Sequence, residues 1–126
     1  MMKQDTQLAP NHSPWGPVQH AKMIAEGLWS VSTASHGGFY ALDGVIAQMP
    51  EDLASIRTPY SNFPWYEEDC DWAILAVALP QYFEPQSVKN AILTAQMDRD
   101  YKPMMQVAAW LKANPNNAAQ RKAEAC

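Results

Sequence analysis

The chain has 126 residues, which is enough for one domain with its own hydrophobic core. Its 9 Lys and Arg against 13 Asp and Glu give a formal net charge of −4, and the basic residues form no patch, which disfavours direct binding of DNA or RNA. No apolar run could span a bilayer and the first residues do not resemble a signal peptide, so we expect a cytoplasmic protein with no membrane segment. The two cysteines, Cys70 and Cys126, are expected to be free thiols.

The first half of the sequence predicts strands. Residues 1–14 are polar and are expected to form a disordered tail ahead of a single domain over residues 15–113. Residues 28–34 alternate between large or β-branched side chains and small ones, which is the pattern of a half-buried strand. Turn residues on either side separate this strand from others at residues 18–25 and 39–42. Together the three segments predict an antiparallel three-stranded β-meander.

The second half changes to helical periodicity. Its apolar run lies in a predicted central helix, although a buried strand at residues 73–79 is the alternative, because a short apolar run does not distinguish the two. The fold class is therefore α+β, with three or more helices packed on one face of the meander. Residues 114–126 form a C-terminal tail that can be helical but has little to bury. The predicted helices cover residues 44–49, 50–56, 65–79, 86–97 and 104–113.

A His-Gly-Gly sequence follows the central strand and is the first candidate site. His36 stands at the predicted tip of a hairpin, and Gly37 and Gly38 leave the backbone around it accessible to a ligand. The functional interpretation is a general base, a metal ligand or an anion-binding turn. The structural alternative is that the glycines make the turn and His36 caps it. No other histidine has metal-ligand spacing to His36, so no metal site and no cofactor are predicted.

An acidic segment at residues 65–72 is the second candidate. If it is helical, Glu67, Glu68 and Asp71 share one face, where like charges repel by roughly a few tenths of a kcal/mol per pair. That arrangement suggests a cation, a basic partner or an arginine from elsewhere in the chain. The structural alternative is ordinary: acidic residues at a helix N-terminus, with Cys70 as a small core residue.

These residues also allow an enzymatic hypothesis. A thiol hydrolase would use Cys70 as nucleophile and His36 as base, with Asp69 or Asp71 orienting the imidazole. A metal-dependent enzyme would instead draw on His36 and the carboxylates of Glu67, Glu68 and Asp71. The helix N-terminus would lower the pKa of the Cys70 thiol and the neighbouring carboxylates would raise it, so a thiolate is not favoured. Both versions require the loop and the acidic segment to meet in space.

Three motifs together resemble a small uncharacterised domain family of proteobacterial genomes, plasmids and phages. They are the Trp-Gly at residue 15, the run Ser-Thr-Ala-Ser-His-Gly-Gly ending at Gly38, and the run Trp-Tyr-Glu-Glu-Asp-Cys from Trp65, which is followed by Trp72. The resemblance covers about residues 15–83. It implies a mobile-element setting, where small acidic proteins often inhibit a host defence system, for example as anti-CRISPR or anti-restriction proteins.

The sequence favours a non-enzymatic protein that binds a protein partner with a basic or mixed surface. Acidic balance and aromatic content suit an interface, because Trp and Tyr are common anchors there. The alternative is the thiol- or metal-dependent hydrolase described above. The predicted contact residues are His36, Gly37, Gly38, Tyr60, Phe63, Trp65, Tyr66, Glu67 and Glu68.

Overall fold

A four-stranded antiparallel sheet and a separate two-stranded ribbon form the β part of the protein. The computed structural model describes residues 9–59 and 65–125. Within these residues the α+β class is confirmed. The strands are β1 (His12–Ser13), β2 (Gly16–Pro17), β3 (His20–Ala25), β4 (Leu28–Ser32), β5 (Gly37–Ala41) and β6 (Trp65–Glu67). The helices are α1 (Asp43–Ile46), α2 (Glu51–Ala54), α3 (Trp72–Ala78), α4 (Pro85–Met97), α5 (Lys102–Ala113) and α6 (Ala118–Glu124), with a 3-10 turn at Pro80–Tyr82.

The predicted meander is present as β3, β4 and β5, but a fourth strand extends it. In β6, Trp65 lies opposite Tyr40 and Glu67 lies opposite Gly38 of β5. The prediction that a helix begins at Trp65 is therefore wrong, and the helix starts only at Trp72. Aromatic residues favour strands, and pairing with β5 satisfies backbone groups that would otherwise line an open edge.

The apolar run is a helix, α3, so the alternative of a buried strand is wrong. All its residues from Ala73 to Ala78 are buried. A helix that is apolar on every side must be covered on every side, and α3 packs against α2, α4 and α5. It is the centre of the helical layer.

One face of the sheet, the inner face, packs on the helices. Residues paired directly across strands share a face, so Leu28 and Ala41 lie together on this side, as do Phe39 and Tyr66. Leu28, Ala41 and Tyr66 belong to the core, and Phe39 packs its ring against Phe83 beyond the 3-10 turn.

Both expected tails take part in the structure. Helix α6 packs against α4, and Ala119 is only 1% exposed, so the C-terminal segment contributes to the core. At the other end, His12–Ser13 pairs with Gly16–Pro17, which brings Trp15 onto the outer face of the sheet, opposite the helices. Residues 1–8 of the expected tail lie outside the described part. None of the described helices has the length and apolarity needed to cross a membrane.

Candidate functional site

The His-Gly-Gly segment and the acidic segment meet in the sheet. The backbone N–H of Glu68 donates to the carbonyl oxygen of Gly37 at 3.0 Å, continuing the pairing of β5 with β6. A methyl group at Gly37 would lie 2.9 Å from Oε1 of Glu68. Two segments that are distant in the sequence therefore form one continuous surface.

The two glycines are required by close packing. A Cβ at Gly38 would lie 2.4 Å from the carbonyl oxygen of Tyr66 and 2.5 Å from the ring of Trp15. Both glycines are buried, and neither has a positive φ. The space that was expected to admit a ligand is occupied by the chain's own Glu68 and Trp15. The interpretation of the loop as an open anion-binding turn is therefore corrected.

The turn itself is closed by Thr33. Its backbone N–H and its hydroxyl both donate to the carbonyl oxygen of His36, at 2.7 and 2.8 Å, and its hydroxyl oxygen accepts from the His36 N–H at 3.1 Å. The His36 side chain is exposed at the tip. Its backbone closes the turn, and its imidazole is left facing solvent.

Aromatic rings cover the outer face beside this turn. The ring centroid of Trp65 lies 4.6 Å from that of Tyr40 and 5.6 Å from that of Trp15, the latter in an edge-to-face arrangement. All three are half-buried. Glu67 is on the same face, and Glu68 and the turn lie at its end. We call the surface formed by Trp15, His36, Tyr40, Trp65, Glu67 and Glu68 the aromatic–acidic patch.

Asp71 does not belong to this surface, although only two residues separate it from Glu68. It is 1% exposed, and its Oδ1 accepts the hydroxyl proton of Tyr101 at 2.6 Å. The carboxylate also accepts from the side chain of Thr58 and from the backbone N–H of Glu67. Burial raises the pKa of Asp71, and these hydrogen bonds oppose the rise.

The hydrogen bond from Glu67 explains where Asp71 sits. Because Glu68 directs its N–H toward β5, the N–H of Glu67 points to the opposite side, away from the sheet. The Asp71 carboxylate takes this donor at the outer edge of β6. The prediction that Asp71 shares a helical face with Glu67 and Glu68 is thus wrong, because the segment is a strand followed by a turn.

The surroundings of Cys70 oppose ionisation. Its thiol lies 3.7 Å from Oδ2 of Asp98, and its backbone N–H donates to Oε1 of Glu67 at 3.3 Å. Burial, followed by the charge of Asp98, raises the pKa of the Cys70 thiol to about 11. The pKa of Glu67 is also raised, mainly by burial. At neutral pH the thiol is protonated, which disfavours Cys70 as a nucleophile.

The remaining predicted residues fall in three places. Tyr66, expected at the contact surface, is in the core and 5% exposed, and burial and then Asp71 raise its pKa to about 12. Asp69 is exposed beyond β6. Tyr60 and Phe63 lie outside the described residues. No group of three or more His, Cys, Asp or Glu side chains in the described ranges is arranged to hold a metal ion.

Three residues at this junction were absent from the predicted site. Trp15 and Tyr40 complete the aromatic part of the aromatic–acidic patch, and the Tyr101 hydroxyl donates a hydrogen bond to Asp71. The strand period would have placed Tyr40 beside Trp29 once the register was known. Trp15 and Tyr101 come from distant parts of the chain, and nothing in their local sequence indicates these contacts.

Comparison with known proteins gives a family but no activity. The profile of a family described as "Domain of unknown function (DUF7007)" matches residues 8–125, which includes both the patch and the C-terminal helix. No curated protein and no solved structure matches the chain.

Proposed function

Since the chain belongs to the DUF7007 family, whose description gives no activity, we propose from the geometry that it works by binding a protein partner through the aromatic–acidic patch. The observation that carries this proposal is the pairing of β5 with β6, which turns two separate motifs into one surface.

The aromatic rings supply the centre of the proposed interface. Trp65 packs against both Trp15 and Tyr40 on the outer face of the sheet, and each of the three is half-buried. Their mutual packing holds the rings in place before binding, so little side-chain entropy is lost in a complex. Trp and Tyr are the residues that most often dominate binding energy at interfaces.

The carboxylates give the partner its expected charge. Glu68 and Asp69 are exposed at the end of β6, and Glu67 is half-buried beside Trp65. The Glu68 side chain makes no hydrogen bond within residues 9–59 and 65–125, whereas the Asp69 side chain is hydrogen-bonded to that of Glu67. Together with the net charge of −4, this favours a partner that presents Lys or Arg next to an apolar surface, because opposite charges speed and orient association.

For the biological setting we rely on the resemblance of the three sequence motifs to a domain of plasmids and phages. We propose that the partner is a protein of the host cell, and that the chain acts as an accessory or anti-defence protein of a mobile element. The protonated Cys70 and the fully engaged Asp71 support a binding function over a thiol hydrolase.

The proposal is tested by affinity capture of the tagged chain from a lysate of its native host, followed by quantitative mass spectrometry. Glu68→Lys should lower recovery of the partner by about tenfold or more, since it reverses a charge at the patch. Asp100→Lys is the matched control, because Asp100 is also exposed but lies between α4 and α5. The free energy of unfolding should change by less than about 0.5 kcal/mol in both variants.

Equal recovery of the same partner by the wild type, by Glu68→Lys and by a second patch variant, Trp65→Ala, would contradict the proposed surface. A partner lost from both patch variants but kept by Asp100→Lys would support it.

A further inference from the structure

A second concave region lies on the opposite side of the sheet from the patch. A cleft of about 500 Å3 opens on the inner face, between the strands, the 3-10 turn and the start of α4. Small-molecule sites typically have volumes of roughly 300–1,000 Å3. The cleft therefore has room for a small ligand with at most a few rings.

The cleft exists because the inner face changes character along the strands. Leu28 and Ala41 are in the core. The next pair on this face is Ser30, two residues after Leu28, and Phe39, two residues before Ala41, and Lys22 of β3 lies opposite Ser30. A helix could not cover this end of the sheet without burying the lysine and the serine. Phe39 packs against the core, and the polar end of the face beyond it forms one wall of the cleft.

Two ammonium groups from distant parts of the chain border the cleft. Lys22 comes from β3 and Lys122 from α6. Nζ of Lys122 donates to the carbonyl oxygen of Pro80 at 2.8 Å, which fixes the group at the rim and leaves two of its three protons for another acceptor. Neither lysine forms an ion pair within the part of the chain that the structure describes.

The other groups of the cleft suit the same kind of ligand. Helix α4 begins here: its cap residue Glu84 and Ser87 of its first turn both line the cleft, and a helix N-terminus carries a partial positive charge. Phe39 and Phe83 form an apolar wall, with ring centroids 5.4 Å apart. Glu84, which is exposed, is the one carboxylate among the lining residues that the structure describes, and the two lysines outnumber it in a protein of net charge −4.

We propose that this cleft binds a small organic anion that carries a ring. Its carboxylate or phosphate lies between Lys22 and Lys122, hydrogen-bonded to the hydroxyls of Ser30 or Ser87, and its ring packs on Phe39. Neither partner binding at the aromatic–acidic patch nor the family match requires such a ligand.

The test is a titration of the 15N-labelled full chain, followed by amide chemical shifts. Adenosine monophosphate and 4-hydroxybenzoate serve as probes, one for each kind of anion, with adenosine and 4-hydroxybenzyl alcohol as their uncharged counterparts. One or both anions should produce saturable shifts at residues 22, 30, 39 and 87. For each anion that binds, the uncharged counterpart should bind at least about tenfold more weakly.

Substitutions then test which lysines bind the anionic group of the ligand. Lys22→Gln should raise Kd about tenfold or more, and Lys122→Gln should do the same, whereas Lys89→Gln, an exposed lysine of α4 outside this cleft, should leave Kd unchanged. No saturable shift at the cleft with either anion up to about 10 mM, equal affinity for the uncharged counterparts, or an unchanged Kd in Lys22→Gln would each overturn the proposal.

Discussion

The end of β6 and the start of α3 carry the same chemical group in two opposite situations. Glu68 and Asp69 present their carboxylates to solvent, whereas Asp71, two residues after Asp69, is buried and accepts three hydrogen bonds. The first pair is available to a partner, and Asp71 joins β6 to the loop at Thr58 and to the start of α5. The local sequence does not distinguish these carboxylates, because each has acidic neighbours. What sets the role of each one is the hydrogen-bond donors that the fold brings to it.

The largest test of this contrast is removal of each carboxylate in turn. Asp71→Ala should lower the free energy of unfolding by about 3 kcal/mol, because it empties a buried position and leaves the half-buried Tyr101 hydroxyl and Glu67 N–H without this acceptor. Asp69→Ala should change it by less than about 0.5 kcal/mol. Urea unfolding of both variants measures the difference. Similar values for the two would show that Asp71 has no special role in stability.

A smaller effect should come from the donor side. Tyr101→Phe removes the hydroxyl that donates to Asp71 and should cost about 1–2 kcal/mol. The matched control is Tyr82→Phe, since the Tyr82 hydroxyl donates to Oε1 of Gln48 at 2.8 Å in an exposed position, and its loss should cost less than about 0.5 kcal/mol. Thermal unfolding with a calorimetric enthalpy gives both values. The comparison between buried and exposed groups fails if Tyr82→Phe is the more destabilising.

The smallest expected effect is on how stability depends on pH. The folded protein raises the pKa of Cys70 from an ordinary 9.0 to about 11, so between these values it binds the proton more tightly than the unfolded chain does. Stability should therefore fall as pH rises from about 9 to about 11, and Cys70→Ala should lose less stability over that interval. In a Cys126→Ser background, the rate of thiol alkylation should rise with an apparent pKa near 11. An apparent pKa at or below 9 would contradict the described surroundings of the thiol.

The sequence was sufficient for local features of the fold. Alternation at residues 28–34 identified β4 because side-chain period depends on the strand alone, and the apolar run at residues 73–78 identified a buried element. It was not sufficient for β6, because a strand of three residues has no period of its own and is defined by its pairing with β5. An acidic segment after a proline looks like a helix start until that pairing is known.

The candidate site depended on the same missing information. His36, Trp65 and Glu68 were identified individually from their chemistry, but it is the β5–β6 register that brings their segments side by side. The positions of Trp15 over Gly38 and of Tyr101 beside Asp71 are long-range contacts, which no window of the sequence contains. The glycines illustrate the difference: their presence was evident, but the reason for them, the ring and carboxylate packed above them, was not.

The hydrogen bond from the Glu67 N–H to Asp71 has a consequence for self-association. An outermost strand normally offers unpaired backbone donors and acceptors on which the strand of another molecule can assemble, the first step toward aggregates and fibrils. In β6 the donor of its last residue, Glu67, is already taken by a side chain, and a foreign strand would have to displace a buried carboxylate to pair there. Loss of Asp71 should thus do more than weaken the fold, since it would also expose an edge on which strands of other molecules could assemble into aggregates.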